Sequence, residues 1–260
     1  MIERLARLGY ASKAVIYLMV GSLALTAAFS RGGRVTDTSG ALREILTKPF
    51  GQVILIVLSV GLCGYAVWRF LDALLDPDRQ GTSAGGLLTR IGHVVRAAVY
   101  GALGIEAFRL SRGLRGSTGR ETEMWTARIM DWPLGVWIIA LVGLGIVAYG
   151  VFQIINALKS RVSGSLDMTP LRSNLRPTLI NISRFGIGAR GIVIVVLGSF
   201  LVRAALQHNP RTAAGTRESM LEVANAFDGR WMLLGLGAGF IAYAVDQAMH
   251  AWLRRIRPVV

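Results

Sequence analysis

Cationic side chains recur at matching positions near the starts of three apolar segments of this sequence. They are Lys13, Arg96 and Arg190, and each follows a glycine by four residues. A charge in hydrocarbon is costly unless it is paired or hydrated, so these side chains should face one another or a cavity. Their chemistry would be electrostatic, and its target would be a small anion or a lipid headgroup.

A second set of polar side chains recurs near the ends of the apolar segments that follow. Each copy has two such positions, three residues apart, and they hold Arg69 and Asp72, Gln153 and Asn156, and Gln247 and His250. A returning helix brings its last turns back to the side where its partner began, so both sets should lie at a similar depth. The sequence therefore predicts a polar layer with one cationic and two polar positions in each copy.

Two interpretations of this layer are open at the level of sequence. In the first, the side chains lock helices together, and the pairs are Lys13 with Asp72, Arg96 with Asn156, and Arg190 with His250. In the second, the cations form a pseudo-threefold ring around a cavity that admits an anion or a lipid headgroup. Arg69 and Asp246 add charges that the other copies lack, so such a ring would be uneven.

The residues around these polar positions show that one unit occurs three times. The pattern R-x-G-x3-[KR]-x3-[YI]-x3-G begins at Arg7, Arg90 and Arg184, and Gly-x9-Gly-x3-Tyr-x3-[RQ]-x2-[DNH] follows each copy. Residues four apart share a helix face, and small residues let helices approach closely in lipid. The predicted packing positions are Gly9, Gly21, Gly61, Gly92, Gly104, Gly145, Gly186, Gly198, Gly239, Tyr65, Tyr149 and Tyr243.

The segments that carry these patterns are long enough to cross a bilayer. The chain has 260 residues, of which 53% are hydrophobic, and about 20 apolar residues suffice for a transmembrane helix. Six segments qualify, near 9–29, 52–74, 91–110, 134–157, 186–206 and 230–252. Short amphipathic stretches lie between the two segments of each copy and indicate surface helices. We therefore expect an all-α polytopic membrane protein of six transmembrane helices.

The copies are predicted to form a single membrane domain over residues 1–260 with pseudo-threefold symmetry. Its helix–surface helix–helix repeats span about 7–74, 90–158 and 184–252. The formal net charge of +14 comes from basic residues at segment ends and in loops, which is typical of contact with anionic lipids. We expect anionic lipids and membrane proteins as partners, and no nucleic acid. A slight positive-inside bias favours an orientation with both termini in the cytoplasm.

Other ionisable residues in the segments are further candidates. Glu106 lies deep in the third segment, where it is either functional or paired with Arg109 or Arg203. We predict no cofactor and no metal, and the alternative is a haem or pigment bound by His93 or His250. Walker, Rossmann, nucleophile-elbow and zincin motifs are absent from any fitting context, so we do not expect an enzyme.

The triplicated R-x-G-x3-[KR] and G-x3-Y units resemble those of a bacterial membrane family, domain of unknown function 1206. The resemblance covers essentially the whole chain, although Ile194 replaces the tyrosine of the third copy. It implies three tandem two-helix membrane repeats in a bacterial cytoplasmic (inner) membrane, and no particular substrate. Function is open between binding or transport of a small anion or lipid headgroup and a non-catalytic scaffold or accessory subunit. A transporter needs a water-accessible cavity reaching Arg96, Arg190 and Glu106, whereas a scaffold should have a packed centre.

Overall fold

The fold is described from a computed structural model, which covers residues 2–29, 35–75, 84–114, 121–159, 175–213, 215–226 and 229–253. Its six long helices are α1 (Ile2–Phe29), α3 (Gly51–Leu75), α4 (Ala84–Ser111), α6 (Gly135–Leu158), α7 (Arg176–Leu206) and α9 (Gly229–Leu253). Each is long and apolar enough to cross a membrane. Three shorter helices are α2 (Thr38–Leu46), α5 (Glu121–Met130) and α8 (Thr216–Ala226). These ranges contain no strand, which confirms the all-α prediction.

The short helix α2 illustrates how local sequence defines an element between two long helices. The Asp37 side chain accepts a hydrogen bond from the Gly40 amide at 2.8 Å, which satisfies one of the free N–H groups at a helix start. Leu42 and Ile45 lie on one face and are buried. The helix therefore rests its apolar face on the long helices, as the amphipathic pattern predicts.

The long helices form a ring in which each repeat joins the next in the same way. We call α1, α4 and α7 the first helices and α3, α6 and α9 the second helices of their repeats. The second helix of each repeat packs on the first helix of the following one, so α3 contacts α4, α6 contacts α7 and α9 contacts α1. Glycines make these contacts close: any side chain at Gly21 would meet the Gly237 carbonyl, and one at Gly104 would meet Cys63. A side chain at Gly198 would likewise meet Val147 and the Gly143 carbonyl of α6.

The arginine that begins each R-x-G motif donates hydrogen bonds to carbonyls at the C-terminal end of the neighbouring second helix. Arg90 donates from Nε to the Ala73 carbonyl at 2.7 Å and from Nη2 to the Leu74 carbonyl at 3.2 Å. The equivalent contacts join Arg184 to the carbonyls of Ala157 and Leu158, and Arg7 to those of Ala251 and Trp252. The last carbonyls of a helix lack partners within it and carry partial negative charge. The motif arginines are therefore C-terminal caps as well as flanking charges.

The two helices within a repeat are arranged differently in the second repeat. In the first and third repeats α1 contacts α3 and α7 contacts α9, and the surface helices α2 and α8 touch both helices of their repeat. Among the described residues, α4 and α6 have no comparable contact along their lengths. The surface helix α5 contacts α6 and the short turn at Pro210–Thr212. The second hairpin is therefore splayed, and the ring has a gap between α4 and α6.

The glycines of the second repeat show the gap at atomic detail. In the first repeat Gly61 meets Ser12 Oγ, and in the third Gly239 meets the Ala189 side chain. At Gly92 and Gly145 an added side chain would meet no atom within 4 Å. The prediction that Gly92 and Gly145 are packing positions is therefore wrong.

The residue three positions after the first glycine differs between the repeats in step with the packing. This position holds Ser12 in the first repeat, Ala189 in the third and Val95 in the second. The Ser12 and Ala189 side chains are small enough to sit against a glycine of the second helix. A branched valine carries two γ-methyl groups and does not fit that close approach. Val95 is instead 55% exposed.

Candidate functional site

A cavity of about 370 Å³ lies among the long helices, at the end of the ring where α1 begins and α9 ends. Every long helix contributes to its lining. The residues predicted for the polar layer that line it are Lys13, Arg69, Arg96, Gln153, Asn156, Arg190, Gln247 and His250. Tyr65, Tyr149 and Tyr243, which were expected only as packing residues, line it too. Of the predicted layer, Asp72 and Glu106 are not among the lining residues.

Each cation of a first helix lies against the tyrosine of the second helix in the same repeat. The pairs are Lys13 with Tyr65, Arg96 with Tyr149, and Arg190 with Tyr243. Lys13 Nζ lies 3.5 Å from the Tyr65 hydroxyl and 4.7 Å from its ring centroid. Arg96 Nη2 donates to the Tyr149 hydroxyl at 3.1 Å. The triplicated motif therefore builds one cation–tyrosine pair three times.

These pairs replace the expected locks of Lys13 with Asp72, Arg96 with Asn156, and Arg190 with His250. Helix register gives the reason, because Gly9 packs directly against Tyr65. Lys13 is four residues further along α1, or about 6 Å deeper. Asp72 is seven residues beyond Tyr65 in the opposite direction along the membrane normal. Of Tyr65, Arg69 and Asp72, the tyrosine therefore lies nearest to the depth of the ammonium.

The Lys13 ammonium is enclosed by aromatic rings. Its Nζ lies 4.7 Å from the ring centroids of Tyr65 and Tyr100 and 5.2 Å from that of Tyr10. Ring faces carry partial negative charge and stabilise a nearby cation without neutralising it. Tyr10 and Tyr100 were not predicted as site residues, although both stand inside the repeated motif. Their positions beside Gly9 and four residues after Arg96 were the signal that could have found them.

Arg190 connects the second and third repeats across the cavity. Its Nη1 donates to Gln153 Oε1 on α6 at 2.9 Å, and its guanidinium lies 5.0 Å from the Tyr243 ring and 5.9 Å from the Tyr17 ring. All of these partners are formally neutral. Among the described residues, no carboxylate therefore pairs with the positive charge of Arg190.

Arg69 differs from the other cations because its charge is balanced on its own helix. Its Nη1 forms a 3.0 Å ion pair with Asp72, and both side chains are buried. Its Nε and Nη2 donate to the hydroxyls of Tyr65 at 3.1 Å and Tyr10 at 2.8 Å. The Arg69–Asp72 pair therefore supports the tyrosines of the Lys13 enclosure.

Several buried polar atoms at the cavity have no hydrogen-bond partner. Among the lining residues they are Gln153 Nε2, Asp246 Oδ1 and Gln247 Oε1. The other atoms of these groups are bonded, because Gln247 Nε2 donates to Asp246 Oδ2 at 2.8 Å. A buried polar group without a partner costs about 1–3 kcal/mol, so such atoms normally meet water or a ligand.

The remaining candidates lie away from the centre of this arrangement. Glu106 Oε2 accepts a hydrogen bond from Ser39 Oγ of α2 at 2.7 Å. His250 lines the cavity, stacks on Tyr10 and contacts Asp246 through Nδ1, whereas His93 does not line it. Among the described residues, no three histidine, cysteine, aspartate or glutamate side chains cluster as metal ligands. The cavity thus reaches Arg96 and Arg190 and leaves Glu106 outside.

Six helices that can span a membrane, arranged as three hairpins around a polar cavity, define a multi-pass integral membrane protein. The chain belongs to the family Domain of Unknown Function (DUF1206), which matches residues 8–76, 91–160 and 185–254. This confirms the family resemblance and the three tandem repeats. The chain is also similar to the Uncharacterized protein YxxB of Bacillus subtilis (strain 168), with 30% identity over 248 residues, 95% of this chain and 90% of that protein. No solved structure matches the chain significantly.

Proposed function

We propose that the protein binds an anionic group in the cavity, as a binding or transport protein and not as an enzyme. The observation that carries this proposal is the charge of the lining. Lys13, Arg69, Arg96 and Arg190 line the cavity together with one carboxylate, that of Asp246. Arg69 is neutralised by Asp72, so an excess of positive charge remains to attract an anion.

The partners of the other three cations support this proposal. In the part of the chain that the structure describes, Lys13, Arg96 and Arg190 contact tyrosine and glutamine side chains and form no ion pair with a carboxylate. Burying a charge without a counter-charge is costly. An anion in the cavity would supply that counter-charge. Arg96 and Arg190 could hold it through charge-assisted hydrogen bonds, which are stronger than neutral ones.

The unpartnered polar atoms supply a second set of contacts. Gln153 Nε2 is a hydrogen-bond donor suited to an anionic oxygen. Asp246 Oδ1 and Gln247 Oε1 are acceptors, and they suit a protonated oxygen or another donor on the same ligand. A group with both anionic and protonated oxygens, such as a hydrogen phosphate, would satisfy both kinds of atom. A centre of this kind favours binding over the packed scaffold alternative.

The proposal can be tested with inorganic phosphate as the probe. The protein is placed in nanodiscs of phosphatidylcholine, and phosphate binding is measured by isothermal titration calorimetry. Arg190→Gln removes a central cation and should weaken binding at least tenfold, equivalent to about 1.4 kcal/mol. Arg128→Gln is the matched control, because Arg128 lies on the surface helix α5 and its guanidinium stacks on Trp125. Equal binding by wild type and Arg190→Gln would reject the cavity as the site.

We also propose that the protein lies in a bacterial cytoplasmic membrane with the cavity end of the ring facing the cytoplasm. The slight positive-inside bias supports this orientation. Both termini then lie on the cytoplasmic side, because α1 begins and α9 ends at the cavity end. A C-terminal alkaline phosphatase fusion should be inactive and a C-terminal fluorescent protein fusion should be bright. The opposite pair of results would invert the topology.

A further inference from the structure

We propose that the gap between α4 and α6 is a lateral portal, through which the anionic headgroup of a membrane lipid reaches the cavity. This inference rests on the proposed anion binding and names the source of the anion. The ligand would be an amphiphile that keeps its acyl chains in the bilayer. A free anion dissolved in water is the alternative source, and the experiment below separates the two.

The first support is the unfilled surface of the gap itself. The faces of Gly92 and Gly145 that pack tightly in the other repeats meet no atom within 4 Å. Only 22% of the residues in the apolar spans of α4 and of α6 are buried, against 33% in α7, 44% in α1, 50% in α3 and 56% in α9. The two helices of the second repeat therefore leave an opening toward the bilayer, whereas those of the first and third repeats are in contact.

The second support is that the groups at this opening also line the cavity. Arg96 of α4 and Tyr149 of α6 are lining residues, and their 3.1 Å hydrogen bond joins the two helices. Both are partly exposed, whereas Lys13 and Tyr65 of the first repeat are 4% and 1% exposed. A headgroup that enters between the helices would therefore meet a guanidinium before it reaches the interior cations.

The third support is the apolar character of the surrounding helix surface. Val95 and Val99 on α4, and Leu141 and Phe152 on α6, are exposed large hydrophobic side chains. This surface suits acyl chains, which are as apolar as the side chains they contact. A hydrated free anion would lose water in such surroundings, at a large energetic cost. A lipid brings its charged headgroup to the cations and leaves its chains outside.

The fourth support is a pair of buried polar atoms on the cavity wall. Gln153 Nε2 and Gln247 Oε1 have no hydrogen-bond partner, and the two side chains are 8% and 4% exposed. They mark the place that a polar headgroup would occupy. The portal and these atoms are two parts of one binding site that opens sideways into the membrane.

The experiment fills the portal with a large side chain. Gly145→Trp places an indole where the structure has free space, and Leu144→Trp is the matched control on the neighbouring, 55% exposed position. Wild type and both variants are placed in nanodiscs of phosphatidylcholine with phosphatidylglycerol, and retained lipids are counted by native mass spectrometry. Thermal unfolding of each variant verifies that it is folded. Phosphate titration of the same samples in pure phosphatidylcholine measures the free-anion response.

We expect wild type and Leu144→Trp to retain phosphatidylglycerol selectively and Gly145→Trp to retain at least tenfold less. Phosphate binding by Gly145→Trp should stay within twofold of wild type, because the cavity cations are untouched. Unchanged lipid retention by Gly145→Trp overturns the portal, and so does phosphate binding by a wild type that retains no lipid. If wild type is a dimer without retained lipid, and Gly145→Trp dissociates that dimer, the portal is overturned in favour of a protein partner at this surface. Wild type that binds neither probe rejects the proposed function together with the portal.

Discussion

The second repeat and its two neighbours carry the same motifs and yet pack their helices differently. Gly9 and Gly61 of the first repeat, and Gly186 and Gly239 of the third, bring their two helices into direct contact. The equivalent glycines of the second repeat face open space. A glycine therefore permits close approach of two helices but does not ensure it. The side chain at the position that meets the glycine in the closed hairpins differs: it is Ser12 in the first repeat, Ala189 in the third and Val95 in the second.

The same comparison shows that the difference is confined to the hairpin. Contacts between successive repeats are alike at all three positions of the ring, including both that involve the second repeat. The arginine caps at Arg7, Arg90 and Arg184 are alike too. The second repeat is therefore held by its neighbours on both sides while its own helices stay apart. The contacts between successive repeats can therefore hold the ring together while α4 and α6 remain separated.

The largest expected effect comes from adding one methyl group to matched glycines. Gly186→Ala would drive its Cβ into the backbone of Ala242 and Tyr243, and overpacking of this kind costs about 1–3 kcal/mol. Gly92→Ala meets no neighbour, and it should gain up to about 1 kcal/mol from the higher helix propensity of alanine. The midpoint of thermal unfolding in detergent measures both changes. Equal effects of the two substitutions would remove the distinction between closed and open hairpins.

A smaller effect is expected from removing the arginine caps. Arg90→Gln and Arg184→Gln each lose charge-assisted hydrogen bonds to two helix-end carbonyls, and each should cost about 1–2 kcal/mol of stability. Unfolding of the two variants should shift by similar amounts, because both arginines make the same contacts. Arg128→Gln serves again as the reference for a surface arginine. A much smaller cost for Arg90 than for Arg184 would extend the difference between repeats beyond the hairpin.

The smallest energetic effect, with the clearest geometric one, is expected for Val95→Ala. Truncating an exposed side chain changes the free energy of unfolding by no more than about 0.5 kcal/mol. We expect the truncation of Val95 to let α4 pack directly against Gly145. Spin labels at Ile91→Cys and Phe152→Cys, in a Cys63→Ser background, should give a shorter and narrower distance distribution by pulsed electron resonance. The measurement is made in phosphatidylcholine alone, so that no anionic headgroup holds the helices apart.

Val99→Ala is the matched control for this substitution. Val99 is exposed on the same helix, one turn further along, and its truncation should leave the distance unchanged. If Val95→Ala also leaves the distance unchanged, the branched side chain is not what keeps the second hairpin open. The cause would then lie in the contacts of α5, which differ from those of α2 and α8.

For the residues of the candidate site, the sequence predicts depth in the membrane but not interaction partners. Lys13, Arg96 and Arg190 were placed at one depth by their spacing from a glycine, and the structure brings them to one cavity. Their partners were not predictable, because pairing depends on how far one helix slides along another. A shift of two turns, about 11 Å, would exchange the tyrosine for the aspartate seven residues further along α3. Glu106 illustrates the same limit, since its partner Ser39 lies 67 residues away on a surface helix.

The sequence by itself determined the features that depend on local order along the chain. Hydropathy and the repeated spacing of glycines and cations define six membrane helices in three copies, because span length and helix faces follow from a fixed rise and period. Only the tertiary structure decided which tyrosine meets each cation, which carbonyls the motif arginines cap, and that α4 and α6 stand apart. Those outcomes arise from the register and rotation of helices far apart in sequence. Val95, which stands where the other repeats have Ser12 and Ala189, is the side chain that we expect to shift that balance.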